Sequence, residues 1–349
     1  MNKITNQIGA VSIYNNIQMK KTILLSVAIF ICLYPIFSQS NSDTYSNPVA
    51  NRNFPDPSVI KAKDGYFYAY GTARLTDIMK SDNLVDWVPV GTAFTQETRP
   101  NFENRAGLWA PDINYFNGQY VLYYTLSKNM GWQTNGIGVA VSDKPEGPFK
   151  DLGSILRAYD IGVINSIDQY YIEDNGKKYI FWGSLNGIFG IELSDDGFSI
   201  KKGAEKIQIA GDAFEGTMIY KKGKYYYFFG SVGTCCEGIT STYQLVVGRS
   251  ESLFGPYVDK KGKSLMLIDG YTVVSGKNTR FVGNGHCSEI VQDDEGNDWI
   301  FYHGYDTTDE NPRSRKFLLD RVLWDKSGWP YIEGGSPSLS AKKPVFHKK

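Results

Sequence analysis

Five stretches of this chain share one pattern, a turn glycine followed at once by a run of aromatic and β-branched residues. They are DGYFYAYGT at 64–72, NGQYVLYYT at 117–125, NGKKYIFWGS at 175–184, KGKYYYFFGS at 222–231 and EGNDWIFYHG at 295–304. Asp-Gly and Asn-Gly pairs supply the positive φ angles of tight hairpin turns, and aromatic and β-branched side chains suit a pleated, buried surface. Each copy therefore predicts the second strand of a hairpin. The glycines Gly65, Gly118, Gly176, Gly223 and Gly296 stand 53, 58, 47 and 73 residues apart. Such intervals are too long for one hairpin and match a four-stranded unit with variable loops.

A second, weaker repeat keeps the same count. SDNLVDW at 81, SDKPEGPF at 142, SDDGF at 194, SESLFGPY at 250 and WDKSGWP at 324 each predict an outer hairpin turn. Helical periodicity is absent beyond the N-terminus. The expected fold is all-β, a five-bladed β-propeller with its active site at the mouth of the central channel. Its last blade is expected to be completed by the segment near Tyr45 to Val49.

Composition narrows the partners. The 349 residues carry 37 Lys and Arg against 37 Asp and Glu, with no basic run, so nothing attracts nucleic acid or an anionic membrane surface. From Met19 the chain reads MKKTILLSVAIFICLYPIFSQS, two lysines before an apolar run from Ile23 to Phe37 and then Ser38-Gln39-Ser40. That is the layout of a secretory signal, too short for a membrane span. Phe30 and Ile31 precede Cys32, where a lipoprotein site requires small residues, so an exported chain without a lipid anchor is expected. Residues 1–40 are taken as extension and signal, 41–335 as the propeller and 336–349 as a short basic tail. Cys235, Cys236 and Cys287 then remain, an odd number that leaves at least one thiol unpaired; the adjacent pair is open to either a bridge or two thiols.

In a propeller the inner strand of each blade begins at the channel mouth. Reading back from each turn glycine finds Asp56 in NFPDPSVI, Asp112 in LWAPDINY, Asp168 in NSIDQYYI, Glu215 in FEGTMIY and His286 in GNGHCSEI. An apolar strand that opens with a charge is often only leaving solvent. Five such groups around one axis instead predict a ring of four carboxylates and an imidazole. Carboxylates crowded in a dry site cannot all ionise, which sets one as acid and another as base.

The ordered set FPDPS, WAPD, NSID, FEGTMIYKKGKYYYFF, GTCCEG with STYQLVVGRS, and GH resembles glycoside hydrolase family 43, from about Asn47 to about Gly335. GTCCEG points within it to the branch of endo-α-1,5-L-arabinanases. The resemblance implies inverting cleavage of internal bonds in arabinan or a related plant cell-wall polysaccharide, with Asp56 as general base, Glu215 as general acid and Asp168 as the carboxylate that raises and orients the acid. An inverting pair is expected about 6.5 to 9.5 Å apart. It also implies sugar contacts at Trp109, Asn165, Gly183 and Ser184, and a calcium-type ion near His286 held mostly by water. The family often has proline where Gln169 stands, and a proline-glycine pair where GNG precedes His286. Two alternatives remain: an exo-acting arabinofuranosidase or β-xylosidase on the same scaffold, and a carbohydrate-binding propeller without catalysis. All three carboxylates being present disfavours the last, since a binding module gains nothing from crowded like charges.

Overall fold

Hairpins joined end to end build five sheets in the computed structural model, which describes residues 43–131 and 133–347. Blade one comprises β2 (Ser58–Lys61), β3 (Phe67–Gly71), β4 (Asp77–Ser81) and β5 (Val88–Thr92), following a short β1 (Thr44–Ser46). Blade two holds β6 (Gly107–Phe116), β7 (Gln119–Ser127), β8 (Gly136–Ser142) and β9 (Lys150–Arg157), after which comes a one-turn helix at Ala158–Ile161. Blade three holds β10 (Tyr170–Asp174), β11 (Lys177–Trp182), β12 (Ile188–Glu192) and β13 (Ile207–Ala210). Blade four holds β14 (Glu215–Lys222), β15 (Tyr225–Val232), β16 (Gln244–Ser250) and β17 (Thr272–Ser275). In blade five β18 (Phe281–Gly285) and β19 (Val291–Gln292) both pair β20 (Asp298–Asp306), followed by β21 (Arg315–Trp324) and β22 (Pro330–Tyr331). All neighbours within the blades are antiparallel, so the architecture is the five-bladed propeller expected.

The aromatic repeats fall on β3, β7, β11, β15 and β20, the second strand of each blade, and all five outer turns link third to fourth strands. Second strands are rich on both faces because both faces are buried. In β15, Tyr226 and Phe228 pack with Phe181 and Ile219 toward blade three, while Tyr227 and Phe229 pack with Ile300 and Tyr302 toward blade five. Five such clusters join successive blades, including one between the last blade and the first in which Phe54, Val59 and Phe67 meet Phe301, Phe317 and Leu319. Each large side chain so buried contributes roughly 1.5–3 kcal/mol.

The ring is sealed by both chain ends. Residues 47–54 run along the free stretch of β21: Val49 N–H donates to the Phe317 carbonyl at 3.0 Å and Phe54 N–H to the Arg315 carbonyl at 2.8 Å. Asn47, 1% exposed, exchanges both amide groups with the Leu319 backbone at 2.9 Å and donates to the Ser338 carbonyl at 3.0 Å. The residues beyond 335 are stitched into the same seam, for β23 (Ser340–Lys342) pairs β1 and Phe346 packs on Phe67. The apolar segment from Ile23 to Phe37 lies outside the described residues. Among those described, no helix is long and apolar enough to cross a membrane.

Because Asn47 satisfies buried backbone groups on two segments, Asn47→Ala strands several of them. The expected loss is about 2–3 kcal/mol, read as a lower urea midpoint at unchanged m-value; an unaltered midpoint would show that the seam does not depend on this side chain.

Candidate active site

One backbone device recurs where the chain enters the channel. Asp56, Ala110, Asp168, Gly216 and His286 are all left-handed, with φ between 41° and 61°. Two residues later the chain is in register with the second strand: Ser58 opposite Tyr70, Asp112 opposite Tyr123, Tyr170 opposite Phe181, Met218 opposite Phe229, and Ser288 N–H bonded to the Phe301 carbonyl. A left-handed residue other than glycine costs roughly 1–2 kcal/mol. Such strain persists where the surrounding structure fixes it, commonly at functional sites. Here it aims three side chains into the mouth. Blade four places glycine at this position, where a Cβ would come within 3.2 Å of the His286 ring, and offers Glu215 from one residue earlier.

Asp56, Asp168, Glu215 and His286 line one cavity of about 550 Å³, with Trp109, Tyr243 and Arg315 also in its wall. His286 Nδ1 lies 3.5 Å from Asp56 Oδ1 and 4.0 Å from Asp168 Oδ2. Asp112 does not join them. The expected ring of five assigned it the wrong depth: it is two residues past the left-handed Ala110, level with Ser58, and 2% exposed. There it accepts the Tyr171 N–H at 2.7 Å and faces Glu289, whose carboxylate accepts from Ser58 Oγ and Val59 N–H. Burial, then the neighbouring Glu289, raises the Asp112 carboxyl well above the ordinary range.

The catalytic-depth groups differ sharply in charge environment. Burial opposes ionisation of Asp56, but Arg315 at 2.8 Å and the two nearby imidazoles outweigh it, holding this carboxyl well below the usual range. Asp168 has no such cation in contact. Burial, followed by the charges of Glu215 and Asp56, pushes it well above the usual range, against a hydrogen bond from Gly216 N–H. The site thus separates two carboxyls in proton affinity, one firmly ionised and one proton-retaining. Ser184 Oγ donates to Glu215 Oε2 at 2.6 Å, and the buried Tyr243 hydroxyl also hydrogen-bonds the Glu215 carboxylate.

Of the residues expected to meet sugar, half-buried Trp109 is in the wall. Asn165, Gly183 and Ser184 instead lie buried behind it. Asn165 donates to the Ser184 carbonyl at 3.1 Å and accepts from Gly131 N–H, and a Cβ on Gly183 would meet the Gly187 carbonyl oxygen at 2.2 Å. These three therefore support the Glu215 side of the site. Gln169 fills the space left by the departure from proline, bonding Thr125 Oγ1 at 2.8 Å and the Ala110 carbonyl at 2.5 Å.

Reading inner strands alone missed three wall or support residues. Arg315 opens β21, a third strand, and is the basic start of the apolar run KFLLD. His303 comes from β20; its Nδ1 lies 3.2 Å from the Asp56 backbone nitrogen and 3.3 Å from Asp56 Oδ1, and burial takes its pKa down to about 4. Tyr243 stacks on His303 with ring centres 5.8 Å apart. Cys235 and Cys236 are bridged and line the cavity, while Cys287 is a buried free thiol.

A hard cation seeks several oxygens. Near His286 the family-type ion would find one imidazole, itself kept from protonation chiefly by burial. No group of three or more His, Cys, Asp or Glu forms a metal cage among the described residues. An ion held mostly by water, as the resemblance implies, would have His286 as its protein contact.

Comparison with known proteins converges on one family. The model of glycosyl hydrolases family 43 matches residues 45–330. An extracellular endo-α-(1→5)-L-arabinanase of Bacillus subtilis is 34% identical over 300 residues, covering 80% of this chain and 88% of that protein. An extracellular exo-α-(1→5)-L-arabinofuranosidase of Cellvibrio japonicus is 33% identical over 306 residues, covering 80% and 86%. Among solved structures, an α-L-arabinanase of Cellvibrio cellulosa complexed with arabinohexaose superposes with a TM-score of 0.72 at 30% identity, covering 81% of this chain and 96% of that one. With its fold, its cluster of three carboxylates and these matches, the chain belongs to glycosyl hydrolase family 43.

Proposed function

We propose that this protein is an exported arabinanase that hydrolyses internal α-1,5 bonds of L-arabinofuranose chains with inversion. The observation that carries it is the cavity where an ionised Asp56, held by Arg315, shares one pit with Asp168 and Glu215. The extracellular endo-arabinanase relative supports the substrate. Export rests on the leader-like N-terminus and on that relative's location.

In this reading a water beside Asp56 attacks the anomeric carbon as Asp56 takes its proton. Glu215 gives a proton to the departing glycosidic oxygen on the opposite side, the C–O bond breaks, and the anomeric centre inverts. Ser184 fixes the Glu215 carboxyl by holding one of its oxygens. Asp168 shares the pit with Glu215, and the repulsion between two such carboxylates favours a state in which the pair keeps one proton, available for the leaving group. Arg315 keeps Asp56 charged in spite of burial.

Exo action is the second reading, favoured by the near-equal identity to the Cellvibrio japonicus enzyme. Product analysis on linear arabinan separates the two: mixed short oligosaccharides at early times are expected, and arabinose as sole early product would replace endo by exo. Proton NMR of the first-formed ends should show the inverted anomer. Glu215→Gln and Asp56→Asn should each lower kcat on unactivated polymer by about 10³-fold, and full activity in Glu215→Gln would remove this residue from the acid's role. Because Arg315 depresses the Asp56 carboxyl, activity lost on acidification should set in only below the ordinary carboxylate range. Arg315→Met should move that acid limb of kcat/KM to higher pH; an unmoved limb would mean that another group sets it.

A further inference from the structure

The bridge between Cys235 and Cys236 has no part in the acid–base chemistry, yet it lines the same cavity. Its place follows from strand register. Ser231, near the end of β15, is opposite Glu215 at the start of β14. The chain continues from there into an arch, residues 233–243, and returns as β16, where Gln244 pairs with Val232. The arch is held by its own base: Thr242 N–H donates to the Thr234 carbonyl at 3.1 Å, Thr234 N–H to Thr242 Oγ1 at 3.0 Å, and Glu237 N–H to Ser241 Oγ at 3.0 Å. Packing anchors it further, since a Cβ on Gly238 would meet the Pro312 carbonyl oxygen at 2.6 Å. The disulfide is therefore carried by the arch that leaves β15 beside Glu215 and shares the cavity wall with it. Cys235 is half-buried and Cys236 exposed, so the ring is open to the cavity and to solvent.

A bridge between adjacent residues closes a small ring that removes side-chain freedom and presents sulfur without a hydrogen-bond donor. Sulfur is soft and polarizable, suited to dispersion contact with the C–H face of a sugar. We propose that the Cys235–Cys236 ring is a binding wall for the sugar on the leaving-group side of the scissile bond, and that opening it weakens substrate binding without altering the chemical step. This rests on the arabinanase reading for the identity of the sugar. Dithiothreitol supplies the two electrons and two protons that convert the ring to two thiols, which then rotate independently. Cys287 is already a thiol, so the reductant leaves it unchanged.

The test compares oxidised and reduced wild-type protein, reduction being verified by mass spectrometry, with the Cys235→Ser/Cys236→Ser double variant. On linear arabinan, reduction should raise KM by about fivefold with kcat within about twofold. The double variant should match the reduced protein and ignore the reagent, and reoxidation should restore the wild type. In parallel, a linear α-1,5-arabino-oligosaccharide is titrated calorimetrically into Glu215→Gln protein, where reduction should weaken Kd by about fivefold. An unchanged Kd after verified reduction, or a loss confined to kcat, overturns the wall. Failure of the wild type to cleave arabinan overturns the function while the Kd comparison still decides the wall. Absence of binding by either form overturns both.

Discussion

No blade of this protein can bury its own hydrophobic surface, and that constraint organises everything else. A second strand such as β15 has large side chains on both faces, and a sheet left alone would expose one of them. Each sheet therefore needs a neighbour on either side, and a row of sheets with that need ends only by closing into a ring. The cluster joining Phe54 and Val59 to Phe301 and Phe317 completes the circle. Closure in turn brings the entries of five inner strands to one axis, so residues as far apart in sequence as Asp56 and His286 come within 3.5 Å.

The chemistry of the pit follows from what ring closure crowds together. Three carboxyls withdrawn from water would repel one another and hold protons indiscriminately. One guanidinium, delivered from a third strand, breaks the symmetry by favouring the ionised form of Asp56, while Asp168 is left to burial and to its acidic neighbours. Two imidazoles adjoin the same carboxyl: His303 lies beside the backbone nitrogen of Asp56 at its left-handed turn, and His286 stands between two carboxyls.

Much of this was legible in the sequence because it is written in local terms. Turn glycines before aromatic runs mark second strands wherever they occur, and the short Ser-Asp turns mark the outer hairpins. Asp56, Asp168 and Glu215 could be read because each stands at or just ahead of its inner strand. Asp112 misled because it stands six residues before Gly118 where the left-handed Ala110 stands eight, so a count back to the first charge stops two residues short of the mouth and lands too deep. Arg315 was hidden for a different reason: its meeting with Asp56 depends on the seam between first and last blades, which no local pattern encodes. The same holds for Ser184, whose role as a prop for Glu215 rather than a wall residue is set by how blade three leans on blade four.

That seam has a further consequence. Within four residues, Asn53 accepts from Arg315 N–H at 2.9 Å, Phe54 donates to the Arg315 carbonyl at 2.8 Å, and Asp56 takes the Arg315 guanidinium at 2.8 Å. The clasp that shuts the circle and the counter-ion that keeps Asp56 charged are one and the same residue. Warming that merely unlatches the ends would thus silence turnover while most of the five sheets still stand, making loss of activity a gauge of the latch and not of global melting.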